Sequence, residues 1–193
     1  MNTAFLPDML GYKDLAAAGL TRRHFERLIE LAEYDRIAPG QFLRAGATDD
    51  TTAAWMAIAG KRPQATLCLL TALSLHDLTD EIPARSNIAI PRGAKPLTVW
   101  SAPISWHHFD AGTFEIGRTE HALPGGRNIG LYSAERTIID LFRLSHEWGI
   151  DLAVEALKRW LRERGNSPAK LLAMAKHFPK GKPALQNALE ILL

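Results

Sequence analysis

Between Arg22 and Glu33 the apolar residues Phe25, Leu28, Ile29 and Ala32 fall at i, i+3, i+4 and i+7, with Arg22, Arg23, Glu26, Arg27 and Glu30 between them. That period predicts a helix with one stripe to pack and one face left to solvent. Thr21 suits its N-cap, because a hydroxyl there accepts an orphan backbone N–H. Gly19-Leu20-Thr21 reads as a turn before it, and Lys13 to Ala18 as a short Ala-rich helix ahead of the turn. Behind it, Tyr34 to Arg44 holds two β-capable runs on either side of Pro39-Gly40, which predicts a hairpin. Helix, glycine turn, amphipathic helix and hairpin in this order make a winged helix-turn-helix.

The chemistry of the outward face fits double-stranded DNA. A reading helix enters the major groove by its N-terminal end, where Thr21, Arg22 and Arg23 stand one turn before Arg27. The planar fork of arginine grips a phosphate, or the O6/N7 edge of guanine, in two parallel bonds. From the hairpin, Arg36, Gln41 and Arg44 are expected to reach the neighbouring sugar-phosphate backbone. The competing reading is a small protein-binding module whose helix charges are solvated and paired, for example Arg22 with Glu26.

The stretch from Ala45 to Asp50 is small and polar, and a boundary is placed there: residues 1–46 as the winged helix, residues 47–193 as a second domain. Thr51 to Gly60 reads as a helix, and Thr66 to Leu78 as an apolar run whose first residues suit a strand and whose remainder, Leu70 to His76, suits a helix, a split that periodicity alone does not settle. Ser86–Ile90, Leu97–Ser101, Ile104–Phe109, Thr113–Ile116 and Asn128–Tyr132 are short β-branched and aromatic runs, expected to form a small, mostly antiparallel sheet. Helices are predicted over 133–144, 151–164, 167–176 and 183–193, with Ser133 and Ser167 as N-caps and Gly149 and Gly165 as stops. The fold class is α+β: a winged helix, then a mixed sheet domain with a helical C-terminal region.

The chain has 193 residues, one cysteine and a formal net charge of +2. So small a charge gives no bulk field for a polyanion, and nucleic-acid binding must rest on local geometry. With the lone Cys68 inside an apolar run, no internal disulfide can form and a reducing, cytoplasmic setting is expected. No run approaches about eighteen apolar residues, and the first ten residues lack the pattern of an export signal, so no membrane association is expected. His107, His108 and Asp110 lie close in sequence, but adjacent strand residues face opposite ways, so no metal is expected. A Glu-x-Lys nuclease signature, a phosphate-binding loop and a G-x-S-x-G elbow are all missing, so no enzyme and no cofactor are expected. Arg92 and Lys95 flank Gly93 after a strand and are a possible surface for a phosphate or a partner carboxylate. Arg136 and Asp140, at i and i+4, read as an ion pair fixing their helix, and Lys158, Arg159, Arg162 and Arg164 as a basic, solvated face.

Further residues, in order, are Asp14-Leu15 with Gly19-Leu20-Thr21-Arg22-Arg23, the hairpin end Phe42-Leu43-Arg44, and Leu67 to Thr79 (LCLLTALSLHDLT). Ile82-Pro83, Ile88 to Pro96 (IAIPRGAKP), Tyr132 to Arg143 (YSAERTIIDLFR) and Gly149 to Leu157 (GIDLAVEAL) follow. In that joint order the chain resembles the AbiEi-type antitoxins of bacterial type IV toxin-antitoxin systems, winged-helix transcriptional regulators. The resemblance implies an N-terminal winged helix that represses its own operon, commonly through inverted repeats in the promoter, with a possible dimer on DNA. It also implies a C-terminal domain that counteracts a nucleotidyltransferase-like toxin without a stable complex. A module that binds the toxin directly, or a solitary regulator, is the alternative.

Overall fold

A computed structural model describes residues 6–193. The reading of the first ten residues as lacking an export signal falls in part on residues 1–5, outside the described residues. The front of the chain is a three-stranded antiparallel sheet with one helix. Strand β1 (Met9–Gly11) pairs with β3 (Gln41–Arg44), which pairs in turn with β2 (Tyr34–Ala38). Helix α1 (Arg22–Glu30) seats Phe25 and Leu28 on this sheet, against Leu10, Leu15, Leu20, Tyr34 and Phe42. The hairpin turns at Pro39-Gly40, where Gly40 takes φ +68°, a left-handed conformation that glycine adopts without steric cost.

The helix expected over 13–18 is instead one tight 3-10 turn, Tyr12–Asp14, and a chain of further turns. Six residues are too few to nucleate an α-helix without strong tertiary help. The Asp14 carboxylate accepts the Gly11 N–H at 2.9 Å, and the Leu20 N–H reaches back to the Leu15 carbonyl at 2.8 Å, closing the segment early.

Behind it stands a five-stranded sheet in the order β6-β5-β4-β8-β7: β4 (Thr66–Leu67), β5 (Ser86–Pro91), β6 (Ile104–Phe109), β7 (Arg118–Leu123) and β8 (Arg127–Tyr132). It is mixed rather than mostly antiparallel, since β4 runs parallel to β8 and β5 to β6. Residues 92–103 supply the crossover of a dozen residues that a parallel pair requires. Successive side chains of β5 divide between two cores: Ile88 and Ile90 face helix α2 (Asp50–Ala59), and Ala89 faces the C-terminal helices. Both faces of the sheet are therefore covered, which is why Ser86 to Ile90 is buried without interruption.

Two expected strands are absent. Residues 97–101 run as irregular crossover, and Thr113–Ile116 lies in turns that Asp110 begins by accepting the Gly112 N–H at 2.9 Å. The Arg136 guanidinium takes the carbonyls of Thr113 and Ile116 at 2.8 and 2.6 Å, so those groups cannot join a ladder, and the strand starts later, at Arg118.

The helices follow the expected order: α3 (Leu69–Leu75), α4 (Ala134–Arg143), α5 (Ser145–Trp148), α6 (Ile150–Arg162), α7 (Pro168–Ala175) and α8 (Lys182–Leu192). Ser133 and Ser167 cap α4 and α7 by accepting the N–H groups of Arg136 and Lys170. Gly149 and Gly165 both take positive φ at helix ends. The short α5 was not anticipated. Helix α4 is buried nearly all round, so the ion pair of Arg136 with Asp140, at 3.0 Å, lies inside the molecule rather than on an outer face. Asp140 also takes Arg143, at 2.9 Å, and the Arg136 guanidinium is sandwiched between the rings of Tyr132 and Phe178. Burial pushes the Asp140 carboxyl up, and the two guanidiniums oppose that push.

The boundary expected after residue 46 falls in a turn, yet apolar residues from both sides of it share one cluster. Ile37, Ala38 and Leu43 pack with Ala53, Trp55, Ile58, Ile88 and Leu131.

Candidate nucleic-acid interface

Helix α1 is held rigidly from below. Phe25 is fully buried and meets the rings of Tyr12, Tyr34 and Phe42 edge-on, with centroids 5.9, 5.6 and 5.0 Å away. Such pairs add about 0.5–1.5 kcal/mol each beyond area burial. Thr21 accepts the His24 N–H at 3.2 Å and so begins the helix where the sequence places it. The helix ends in a Schellman motif at Ala32 (φ +54°), with the Glu33 N–H on the Leu28 carbonyl at 2.9 Å and the Ala32 N–H on the Ile29 carbonyl at 3.0 Å.

The outward face carries Thr21, Arg22, Arg23, Glu26, Arg27 and Glu30, all exposed. Arg22 is held twice, by Glu26 at 2.8 Å and by the ring of Tyr12 with its guanidinium carbon 5.1 Å from the centroid. The Glu26 carboxylate raises the Arg22 pKa still further above its ordinary value. Arg23 and Arg27 have no ion-pair partner among the described residues. No acidic residue occupies the first turn, so the positive end of the helix dipole is not offset there. Two unpaired guanidiniums one turn apart, beside open N–H groups, can bind phosphate oxygens or accepting base edges. Tyr12, which steadies Arg22, was missed in the sequence; nothing in its local pattern sets it apart from a core aromatic.

The hairpin differs from a free wing. Because β1 lies along its outer side, β3 is the central strand, and Gln41, paired with Gly11, is only 7% exposed. The expectation that Gln41 faces outward is thus corrected: a strand flanked on both sides turns this side chain into the molecule. Arg44 is also drawn inward. It donates to the Asp8 carboxylate at 3.1 Å and to the Leu6 carbonyl at 2.7 Å, and its guanidinium lies over the ring of Tyr34. Arg36 is exposed, but its guanidinium stacks on Trp100 at 4.8 Å, an anchor from the crossover after β5. The structure therefore leaves Thr21, Arg22, Arg23 and Arg27 exposed on α1, whereas Gln41 and Arg44 are turned inward and Arg36 is stacked on Trp100.

Arg92 and Lys95 are exposed on the loop after β5, outside the front unit. The Lys95 carbonyl accepts from Arg62 at 2.8 Å, which fixes the loop's main chain. Of the basic C-terminal residues, Arg159 is engaged by both carboxylate oxygens of Asp80, Lys158 lies 3.9 Å from Glu155, and Arg162 and Arg164 are exposed. Among the described residues no three His, Cys, Asp or Glu side chains gather as a metal site would need, and no helix is long and apolar enough to cross a membrane.

No protein-family model matches the chain, and no curated protein sequence matches it. Among solved structures, the chain is similar to the Rv2827c protein of Mycobacterium tuberculosis, with a TM-score of 0.54 over 95% of this chain and 76% of that one. Identity between the two is 15%. The α+β arrangement of a front helix-and-strand unit, a mixed five-stranded sheet and C-terminal helices is thus a fold shared, in outline, with that mycobacterial protein.

Proposed function

We propose that this protein is a DNA-binding repressor of its own promoter and the antitoxin of a type IV pair, acting against a nucleotidyltransferase-like toxin without a stable complex. It is a regulator of the cytoplasm rather than an enzyme. The observation that carries the reading is the exposed, unpaired pair Arg23 and Arg27 on a helix locked in place by its aromatic underside. The ordered resemblance to AbiEi-type antitoxins along the sequence supports the remainder.

The test is fluorescence anisotropy with the duplex upstream of the protein's own gene, at several salt concentrations. Each phosphate contact contributes about 0.9 to the slope of log affinity against log salt, so Arg23→Ala with Arg27→Ala should flatten it by about 1.8 if both meet phosphates. Unchanged affinity and slope would remove α1 from the interface. For the antitoxin role, the neighbouring gene should encode a nucleotidyltransferase-like toxin, and co-expression with it should restore growth while the two products fail to co-purify at low salt. A stoichiometric complex would favour direct inhibition instead.

A further inference from the structure

A cavity of about 560 Å³ opens where the front unit meets the end of α2 and the start of β8. Small-molecule sites span roughly 300–1,000 Å³. Its walls include Tyr12, Lys13, Asp14, Gln41, Lys61 and Arg127. None of the three cations has an ion-pair partner among the described residues. The single carboxylate, Asp14, is engaged through one oxygen by the Gly11 N–H.

Gln41 is the second, independent observation. Its side chain is more than nine-tenths buried, and its Oε1 has no hydrogen-bond partner among the described residues. An amide oxygen left unpaired in a protein interior is costly and calls for an explanation, of which a bound partner is one. Its Nε2 end lies against Gly60, where an added Cβ would come within 3.1 Å. Half a turn about the terminal torsion exchanges the two ends at little cost, so the amide can meet either a donor or an acceptor.

We propose that this cavity binds a free nucleoside phosphate. Lys13, Lys61 and Arg127 take the phosphate, and the Gln41 amide meets the polar edge of the base or ribose. Tyr12, an exposed ring on the wall, offers the base an aromatic neighbour. The inference does not depend on the DNA reading. Phosphate chemistry alone would also suit the backbone of a bound duplex, and the experiment separates these two sources.

The experiment is isothermal titration of the full chain with AMP, ATP and inorganic phosphate, repeated with Lys61→Ala/Arg127→Ala and with Gln41→Met. Melting curves check that each variant folds, and anisotropy measures its affinity for duplex DNA. Expected is nucleotide binding, tighter than inorganic phosphate, weakened at least tenfold by the double variant and also by Gln41→Met, with DNA affinity unchanged. If Gln41→Met does not fold, the double variant of surface cations carries the test. Absence of nucleotide binding together with weakened DNA binding in the double variant would assign the cavity to backbone phosphate and overturn the proposal. Absence of both effects would overturn it as well.

Discussion

Replacing Arg136 by Met should be the most damaging single change in the back half of the molecule. The guanidinium holds the Asp140 carboxylate at 3.0 Å, with both groups buried, and the carbonyls of Thr113 and Ile116, on a partly buried turn, at 2.8 and 2.6 Å. Its loss strips Asp140 of one of two cationic partners and leaves two carbonyls without this donor. Removing one member of a buried ion pair costs about 3–5 kcal/mol. For a chain of this length that corresponds to a fall in Tm of roughly 6–20 °C. The stacked rings of Tyr132 and Phe178 lose a cation and keep a side chain of similar length, so the cavity left is small and the cost is mainly electrostatic. Urea titration at pH 7 measures it, and hydrogen exchange of the 113–117 turn should rise in parallel. Adding Asp140→Leu removes the stranded carboxylate, so the double variant should be more stable than the sum of the single losses by at least about 1 kcal/mol. A loss under about 1 kcal/mol for Arg136→Met, or additivity of the two changes within about 0.5 kcal/mol, would refute this account.

Ala32→Gly should raise stability by about 0.5–1 kcal/mol in thermal or urea unfolding, because the Schellman position at φ +54° favours glycine. Gly130→Ala should lower it by roughly 1–3 kcal/mol, since a Cβ there would lie 2.6 Å from Thr66 Oγ1 and 2.7 Å from Arg118 Nε, both fixed by their mutual hydrogen bond. Asp49→Ala should cost about 1 kcal/mol at pH 7 by removing the α2 cap. The Thr52 hydroxyl and N–H hold the Asp49 carboxyl below its ordinary range, so its contribution is complete above about pH 4 and is lost as pH falls through the lowered folded value. The stability difference between wild type and variant should therefore be smaller at pH 3 than at pH 7 in urea unfolding. Burial pushes the His107 imidazole down despite the nearby Glu147, so below about pH 6.5 the unfolded chain takes up a proton that the folded one resists. Wild type should thus lose stability as pH falls from 7 to 5, and His107→Gln should flatten that part of the profile.

Helices were legible wherever a cap, a stripe and a stop coincide, as at Thr21, Phe25 and Leu28, or at Ser133 through Phe142. Strands were legible where β-branched residues cluster, as over Ser86–Ile90, and not where a distant side chain decides. Residues 113–116 look like a strand until Arg136, far along the chain, takes their carbonyls. Strand direction was hidden because it depends on the length and route of the crossover rather than on composition. The exposed face of α1 could be read because helical period alone settles which side chains point away from a packed stripe. The hairpin side chains could not: β1 has three residues and little strand signal, yet by pairing with β3 it turns Gln41 inward. The cavity cations Lys13, in the 3-10 turn, Lys61, in the turn after α2, and Arg127, at the start of β8, are far apart in sequence, and only the fold assembles them.

The Arg36–Trp100 stack, with the Trp100 N–H on the Ile37 carbonyl at 2.9 Å, rivets the hairpin to the rear half. A fragment cut after residue 46 would carry Ile37, Ala38 and Leu43 bare into water and would be prone to clump rather than stand alone. The helix proposed to meet DNA is therefore mounted on the whole chassis: a ligand or mutation that shifts the 92–103 crossover has a mechanical path to it.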